Sequence, residues 1–80
     1  MDKEKIEKDL IEKTAKALGV DPSTLSGKTN IKNEVKLSSL ELAGIISELE
    51  AENDCYIKYT ELMHATTIEE AAEIIASQNE

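Results

Sequence analysis

Residues 38–52, SSLELAGIISELEAE, contain the signals that decide how this chain folds. Ser38 followed three residues later by Glu41 is a capping box, in which the serine caps the first helical turn and the glutamate reaches back to the serine N–H. The apolar side chains that follow recur at spacings of three and four, which places them on one helix face. They are Leu42, Ile45, Ile46 and Leu49. The stretch predicts an amphipathic helix that has Ser38 as its cap and Ser39 as its first residue and ends near Asn53.

Upstream of this stretch, residues 2–18 predict a first amphipathic helix, followed by a long ordered loop over residues 19–37. The apolar positions of the helix are Ile6, Leu10, Ile11, Thr14 through its methyl group, Ala17 and Leu18. Gly19 suits a left-handed cap at the helix end, and Pro22 cannot extend the helix. Four apolar residues of the loop are expected to hold it against the core: Leu25, Ile31, Val35 and Leu37.

Downstream, a short helical turn is expected at residues 60–63, with Leu62 or Met63 buried. Thr67 and Glu70 form a second capping box, which starts a final helix that ends near Ser77. Its apolar face is formed by Ile68, Ala71, Ala72 and Ile75. Few anchors lie within residues 54–65, so we predict that this segment is the most mobile part of the protein.

The overall pattern is that of an all-α protein, because no segment shows the period-two alternation of a strand. We predict a single domain over residues 1–80, built as a four-helix bundle. Three of its helices are longer and one is short, and the long loop connects helices one and two. At 80 residues the chain has room for a core but seldom for a deep catalytic cleft as well, which favours a carrier, binding or scaffold role.

Charge is distributed unevenly along the chain. Residues 1–36 contain eight Lys and seven Asp or Glu, whereas residues 37–80 contain one Lys and ten Asp or Glu, which accounts for the net charge of −8. This acidic second half repels nucleic acid and anionic membranes and attracts basic protein partners. The alternative is that the acidity only keeps a small domain in solution.

Other candidates for chemistry offer little. Cys55 is the only cysteine and His64 the only histidine, so neither a disulfide nor a Cys/His metal site is expected. We expect Cys55 to be partly buried and inert, assign no chemistry to His64, and expect Tyr56 and Tyr59 to pack on the short third helix. No nucleophile–base pair can be assembled, so the chain is not expected to be an enzyme. No membrane-spanning or signal segment is found, which indicates a cytoplasmic protein.

Ser39 is the residue whose position suggests a function. Its hydroxyl is expected beside unpaired backbone N–H groups at the positive end of a helix dipole, where a phosphate is favoured by about 0.3–1 kcal/mol. The alternative is that the two serines only cap a helix.

The segment around Ser39, VKLSSLEL (residues 35–42), resembles the attachment motif of the acyl carrier protein family. The resemblance continues in LGV (18–20), which is similar to the end of the family's first helix. It extends to LEAE (49–52), which is similar to the acidic end of its second helix, and to TTIEEA (66–71), which is similar to the start of its last. The order and spacing match over about residues 4–76.

The resemblance implies that a phosphopantetheinyl transferase attaches 4′-phosphopantetheine from coenzyme A to Ser39, and that acyl groups are then carried as thioesters. Partner recognition is implied for Leu40, Glu41, Glu48 and Glu52, which would meet basic docking patches on acyl-transferring or acyl-elongating enzymes. The pathway would be fatty-acid, polyketide or other specialised acyl metabolism. We expect a monomer that catalyses nothing, binds no nucleic acid and does not insert into membranes.

Three positions differ from the family pattern. Ser38 stands where the family has Asp, Lys36 and Leu37 replace a usual glycine, and Gly44 stands where carriers of fatty-acid synthesis have an acidic contact residue. These differences favour a specialised carrier over a housekeeping one. The alternative function is an unmodified, acidic, carrier-like interaction module.

Overall fold

A computed structural model describes residues 2–79, and within them the protein is an all-helical bundle, as predicted. The helices are α1 (Lys3–Leu18), α2 (Ser39–Asn53), α3 (Tyr59–Leu62) and α4 (Ile68–Gln78). Three are long and α3 is a single turn. Each boundary lies within one residue of the predicted one.

Local capping explains these boundaries. Asp2 caps α1, since its Oδ1 accepts the backbone N–H of Glu4 at 3.0 Å. At the other end of α1, Gly19 adopts a left-handed conformation with φ of 72°, which confirms the predicted glycine cap. Thr67 caps α4 by accepting the N–H of Glu70 at 3.2 Å. The predicted second capping box is only half formed, because Glu70 Oε2 accepts the N–H of Thr66 at 3.0 Å rather than that of Thr67. The caps therefore supply the hydrogen bonds that free helix ends lack.

The core lies where α1 packs against α2 and α4. Its largest side chains, all less than 2% exposed, are Ile6, Leu49, Ile68 and Ile75. Burying each such side chain contributes about 1.5–3 kcal/mol. Every residue of the predicted α4 face is buried, as are Ile45, Ile46 and Leu49 of α2, so the helical periodicity was interpreted correctly.

The connection between α1 and α2 is ordered by hydrogen bonds to the start of α4. It contains one turn of 3-10 helix at Pro22–Thr24. Farther along, the N–H of Ile31 donates to the carbonyl oxygen of Thr66 at 2.8 Å. The N–H of Glu69 donates to the carbonyl oxygen of Gly27, also at 2.8 Å. Val35 is buried, and the other three predicted anchors are partly buried against the core. The loop is therefore held in place directly ahead of α2.

Residues 54–65 have more anchors than the sequence indicated. Ile57 and Leu62 are buried, whereas Met63 is exposed. The side chain of Asn79, just beyond α4, accepts the N–H of Tyr56 at 2.9 Å and donates to its carbonyl oxygen at 2.8 Å. The expectation of few anchors is wrong, because these contacts come from the far end of the chain. The relative mobility of the segment stays a prediction.

Candidate functional site

At the N-terminus of α2, the two adjacent serines differ in what their side chains do. Ser38 has an extended backbone, and its Oγ accepts the N–H of Glu41 at 3.1 Å. In return, Glu41 Oε1 accepts the N–H of Ser38 at 3.0 Å. With both halves of the capping box formed by Ser38 and Glu41, the side chain of Ser39 is not needed for capping. Ser39 is the first helical residue and is exposed.

The position of Ser39 suits a phosphodiester. Backbone N–H groups of the first helical turn lack intrahelical partners, and the helix dipole places partial positive charge there. An oxygen atom on Ser39 can be reached from solvent, so a group attached to it would extend outward without displacing the core. The residues present thus fit the attachment of a phosphate-linked group.

Several large apolar side chains are exposed, and one of them, Leu40, directly follows this serine. Leu40 is 83% exposed, although leucine is a residue that proteins usually bury. Tyr56 and Tyr59 are also exposed, which corrects the expectation that both pack on α3; Ile57 occupies the core position between them. Tyr59 and the exposed Met63 instead line the cavity described next.

An apolar cavity of about 230 Å³ lies between the helices and the loop. Its wall includes Leu37 and Leu42, which flank the Ser39 region in sequence, and Ile46 and Leu62 from the core. Lys32, Tyr59 and Met63 are also in its wall, and all three are exposed, so the cavity reaches the surface. For comparison, an apolar cavity of about 150 Å³ is enough to bind benzene. A short aliphatic chain would therefore fit.

The three glutamates predicted to recognise partners, Glu41, Glu48 and Glu52, form the acidic strip along α2, and all three are exposed. The structure does not leave them equivalent. Lys13 of α1 has its Nζ 2.9 Å from both carboxylate oxygens of Glu52 and 3.8 Å from the nearer oxygen of Glu48. Glu41 instead bonds to the backbone of Ser38.

Lys13 was not identified from the sequence. Its hydrogen bond to Glu52 raises the pKa of the ammonium group, and the charges of Glu52, Glu48 and Asp9 act in the same direction, while burial opposes them. The group therefore stays positively charged. Its contact with the glutamates could not be predicted from their separation in sequence, because the contact depends on how α1 and α2 pack.

The remaining candidates from the sequence are Cys55 and His64. Cys55 is half-buried, and burial, followed by the nearby carboxylates of Glu50 and Asp54, raises the pKa of its thiol. A raised pKa disfavours the reactive thiolate. His64 is exposed. Within residues 2–79 no cluster of three or more His, Cys, Asp or Glu is arranged to hold a metal ion.

Two comparisons with known proteins bear on the class of this protein. Residues 8–75 match the family model described as "Phosphopantetheine attachment site". An acyl carrier protein of Rubrobacter xylanophilus is 35% identical to this chain over 75 residues, which cover 94% of this chain and 93% of that protein.

The fold and the matched region define a helical carrier domain of the phosphopantetheine-binding class. The chain belongs to the acyl carrier protein family. The expected resemblance is thus confirmed, and with it phosphopantetheine as the family's cofactor and the role of a carrier that is not itself an enzyme. A carrier domain interacts with a modifying transferase and with acyl-handling enzymes. No helix in the described part of the chain is long and apolar enough to cross a membrane.

Proposed function

We propose that Ser39 carries the phosphopantetheine arm and that the protein presents acyl groups on it to successive enzymes. The observation that carries this proposal is the division between the two serines: Ser38 and Glu41 complete the capping box, and Ser39 is left exposed as the first helical residue. Ser38 is a poorer acceptor for the arm, because its Oγ accepts the N–H of Glu41 and a group attached to that oxygen would crowd this bond.

The protein's own contribution to attachment is the Ser39 hydroxyl. Its oxygen forms a new bond to the β-phosphorus of coenzyme A, the pyrophosphate bond breaks, adenosine 3′,5′-bisphosphate leaves, and the hydroxyl proton passes to the transferase. The N-terminus of α2 stabilises the resulting negative charge. When bound, the arm supplies a terminal thiol that holds acyl groups as thioesters.

The cavity suits temporary shelter of a short acyl chain. Its wall is built almost entirely from aliphatic side chains, and Leu37 and Leu42 line it close in sequence to Ser39. Each methylene transferred from water into such a site contributes about 0.8 kcal/mol. The polar side chains in the wall are Thr14, Lys32 and Tyr59, and the aliphatic ones outnumber them, which favours a simple hydrocarbon chain.

The partners that fit this surface are a phosphopantetheinyl transferase and acyl-transferring or acyl-elongating enzymes with basic docking patches. Leu40 offers them an apolar contact and the acidic strip offers charge, which mainly speeds association. The pathway is fatty-acid, polyketide or other specialised acyl metabolism. The single-domain, monomeric state and cytoplasmic location predicted from the sequence belong to this proposal.

Intact-mass measurement tests the attachment site. The protein is incubated with coenzyme A and a broad-specificity transferase, together with Ser38→Ala and Ser39→Ala variants. The wild type and Ser38→Ala are expected to gain one phosphopantetheine, and Ser39→Ala none. Failure of several transferases to modify folded wild type would instead favour an unmodified acidic interaction module. Modification of Ser39→Ala would move the site elsewhere.

A further inference from the structure

The acidic strip contains a cation that belongs to the protein itself. Lys13 contacts both carboxylate oxygens of Glu52 at 2.9 Å and lies 3.8 Å from Glu48, so one ammonium serves two carboxylates. The Lys13 side chain is only 14% exposed, whereas those of Glu48 and Glu52 are each 56% exposed. The lysine approaches the carboxylates from the α1 side and leaves their outer edges open to solvent.

This arrangement makes the two ends of the strip electrostatically different. At the far end, Glu48 and Glu52 together with Lys13 carry a net charge of about −1 rather than −2. At the Ser39 end, Glu41 accepts a neutral backbone N–H, and no lysine within residues 2–79 forms an ion pair with it. An approaching cation therefore gains more per carboxylate at Glu41 than at the far end, where it must share oxygens with Lys13.

Competition with Lys13 also restricts the directions from which a partner's cationic side chain can reach Glu48 and Glu52. An exposed lysine or arginine of a partner can reach Glu48 and Glu52 only in the orientations that Lys13 leaves free. Displacing Lys13 would break the contacts of its ammonium group with both carboxylate oxygens of Glu52, and hydrogen bonds between charged groups are stronger than neutral ones. Leu40 directly precedes Glu41 at the same end of α2, so the favoured charge and the exposed leucine are both next to Ser39 in the first helical turn.

We infer that Lys13 is a built-in counter-ion of the partner surface, which occupies Glu48 and Glu52 and directs a basic partner to Glu41 and Leu40 beside Ser39. This inference rests on the proposed carrier function for its biological meaning. The occupant is a basic protein surface, which the excess of ten acidic residues over one lysine in residues 37–80 complements. Lys13 acts through the glutamates and is a positioning residue for partner binding.

A binding experiment on the unmodified protein tests this directly. Hexa-arginine is titrated into isotopically labelled protein at low salt, and amide and side-chain carboxyl shifts of Glu41, Glu48 and Glu52 are followed by NMR. In the wild type the largest shift is expected at Glu41. In Lys13→Gln the response is expected to spread to Glu48 and Glu52, and the Kd to fall by about two- to five-fold, the range for freeing one exposed ion pair.

Matched variants separate this effect from net charge. Lys8→Gln removes the same charge from an exposed position of α1 that makes no ion pair within residues 2–79. It is expected to change the Kd by less than about two-fold and to leave the shift pattern unchanged. Lys13→Arg keeps the cation and is expected to behave as the wild type. Lys13→Met, which retains the packed stem, replaces Lys13→Gln if the latter fails to fold.

A second experiment measures kcat/KM for modification of Ser39 by a transferase in the same variants. Lys13→Gln is expected to raise it by about two- to five-fold and Lys8→Gln by less than two-fold. If no variant is modified, the carrier proposal fails, while the hexa-arginine titration still decides the role of Lys13. Equal effects of Lys13→Gln and Lys8→Gln, or wild-type shifts largest at Glu48 and Glu52, would overturn the inference.

Discussion

Replacing Ser38 with alanine is expected to lower the free energy of unfolding by about 1 kcal/mol, even though Ser38 is not the proposed attachment residue. The change removes the Oγ acceptor of the Glu41 N–H and the geometry that lets Glu41 reach back. Loss of an N-cap serine costs about 0.5–2 kcal/mol. The freed N–H lies at an exposed helix end and can bind water, which argues against the upper limit of that range.

The matched substitution is Ser39→Ala, one residue later. Ser39 is exposed and in the first helical turn, where its side chain makes no capping bond, and alanine has the highest intrinsic helix propensity. The free energy of unfolding is therefore expected to change by less than about 0.5 kcal/mol. The same substitution abolishes attachment under the proposed function, so stability and modification are lost in different variants.

Urea unfolding followed by circular dichroism measures both free energies, and thermal unfolding followed in the same way measures the Tm. For a domain of this size, 1 kcal/mol corresponds to a shift of about 4–8 °C in Tm, which is readily resolved. A double-mutant cycle with Glu41→Ala should show a coupling energy of about 0.5 kcal/mol or more between Ser38 and Glu41. If Ser39→Ala destabilised the protein as much as Ser38→Ala, the cap would lie one residue later and the division between the serines would be refuted.

Three further predictions concern α2 and the residues after it. Gly44→Ala should stabilise the protein by about 0.5–1 kcal/mol in the same assay, since an added Cβ meets nothing within 4 Å; a loss of stability would contradict this. Asp54→Gly should stabilise by about 1 kcal/mol, because Asp54 has a left-handed backbone with φ of 48° and places negative charge at the C-terminus of α2. Cys55, with its raised pKa, should be alkylated at pH 8 more slowly than in urea-unfolded protein, and equal rates would show that burial does not protect it.

Features that depend on neighbouring residues could be predicted from the sequence. The capping box of Ser38 and Glu41 and the α4 cap at Thr67 are encoded within four residues, and both are present. The apolar face of α4 likewise follows from the 3.6-residue repeat alone. These local signals place Ser39 at a helix start, and the resemblance of residues 35–42 to the carrier attachment motif is what identified it as a candidate site.

Features that depend on packing could not be predicted in this way. Lys13 and Glu52 are 39 residues apart, and Asn79 and Tyr56 are 23 apart. Lysine and asparagine on a helix surface are ordinary, and nothing in their spacing shows which partner they will meet. The exposed tyrosines have the same cause, since either Tyr56 or Ile57 could have faced inward until the path of the chain into α3 was fixed.

The departures from the family pattern and the ion pairs of Lys13 all reduce the negative charge on the surface of α2. Ser38 caps the helix without the charge that Asp would bring, Gly44 removes an acidic contact, and Lys13 compensates part of the charge on Glu48 and Glu52. All three lower the negative charge that a partner meets along α2, while Leu40 remains exposed.

Since screening by salt weakens charge contacts far more than apolar ones, association with the cognate partner should depend on salt less steeply than the overall charge of −8 suggests. Under the inference for Lys13, partner choice in this carrier would depend on α1 as well as α2, and carriers with the same attachment motif would differ in partners through a residue that the motif does not contain.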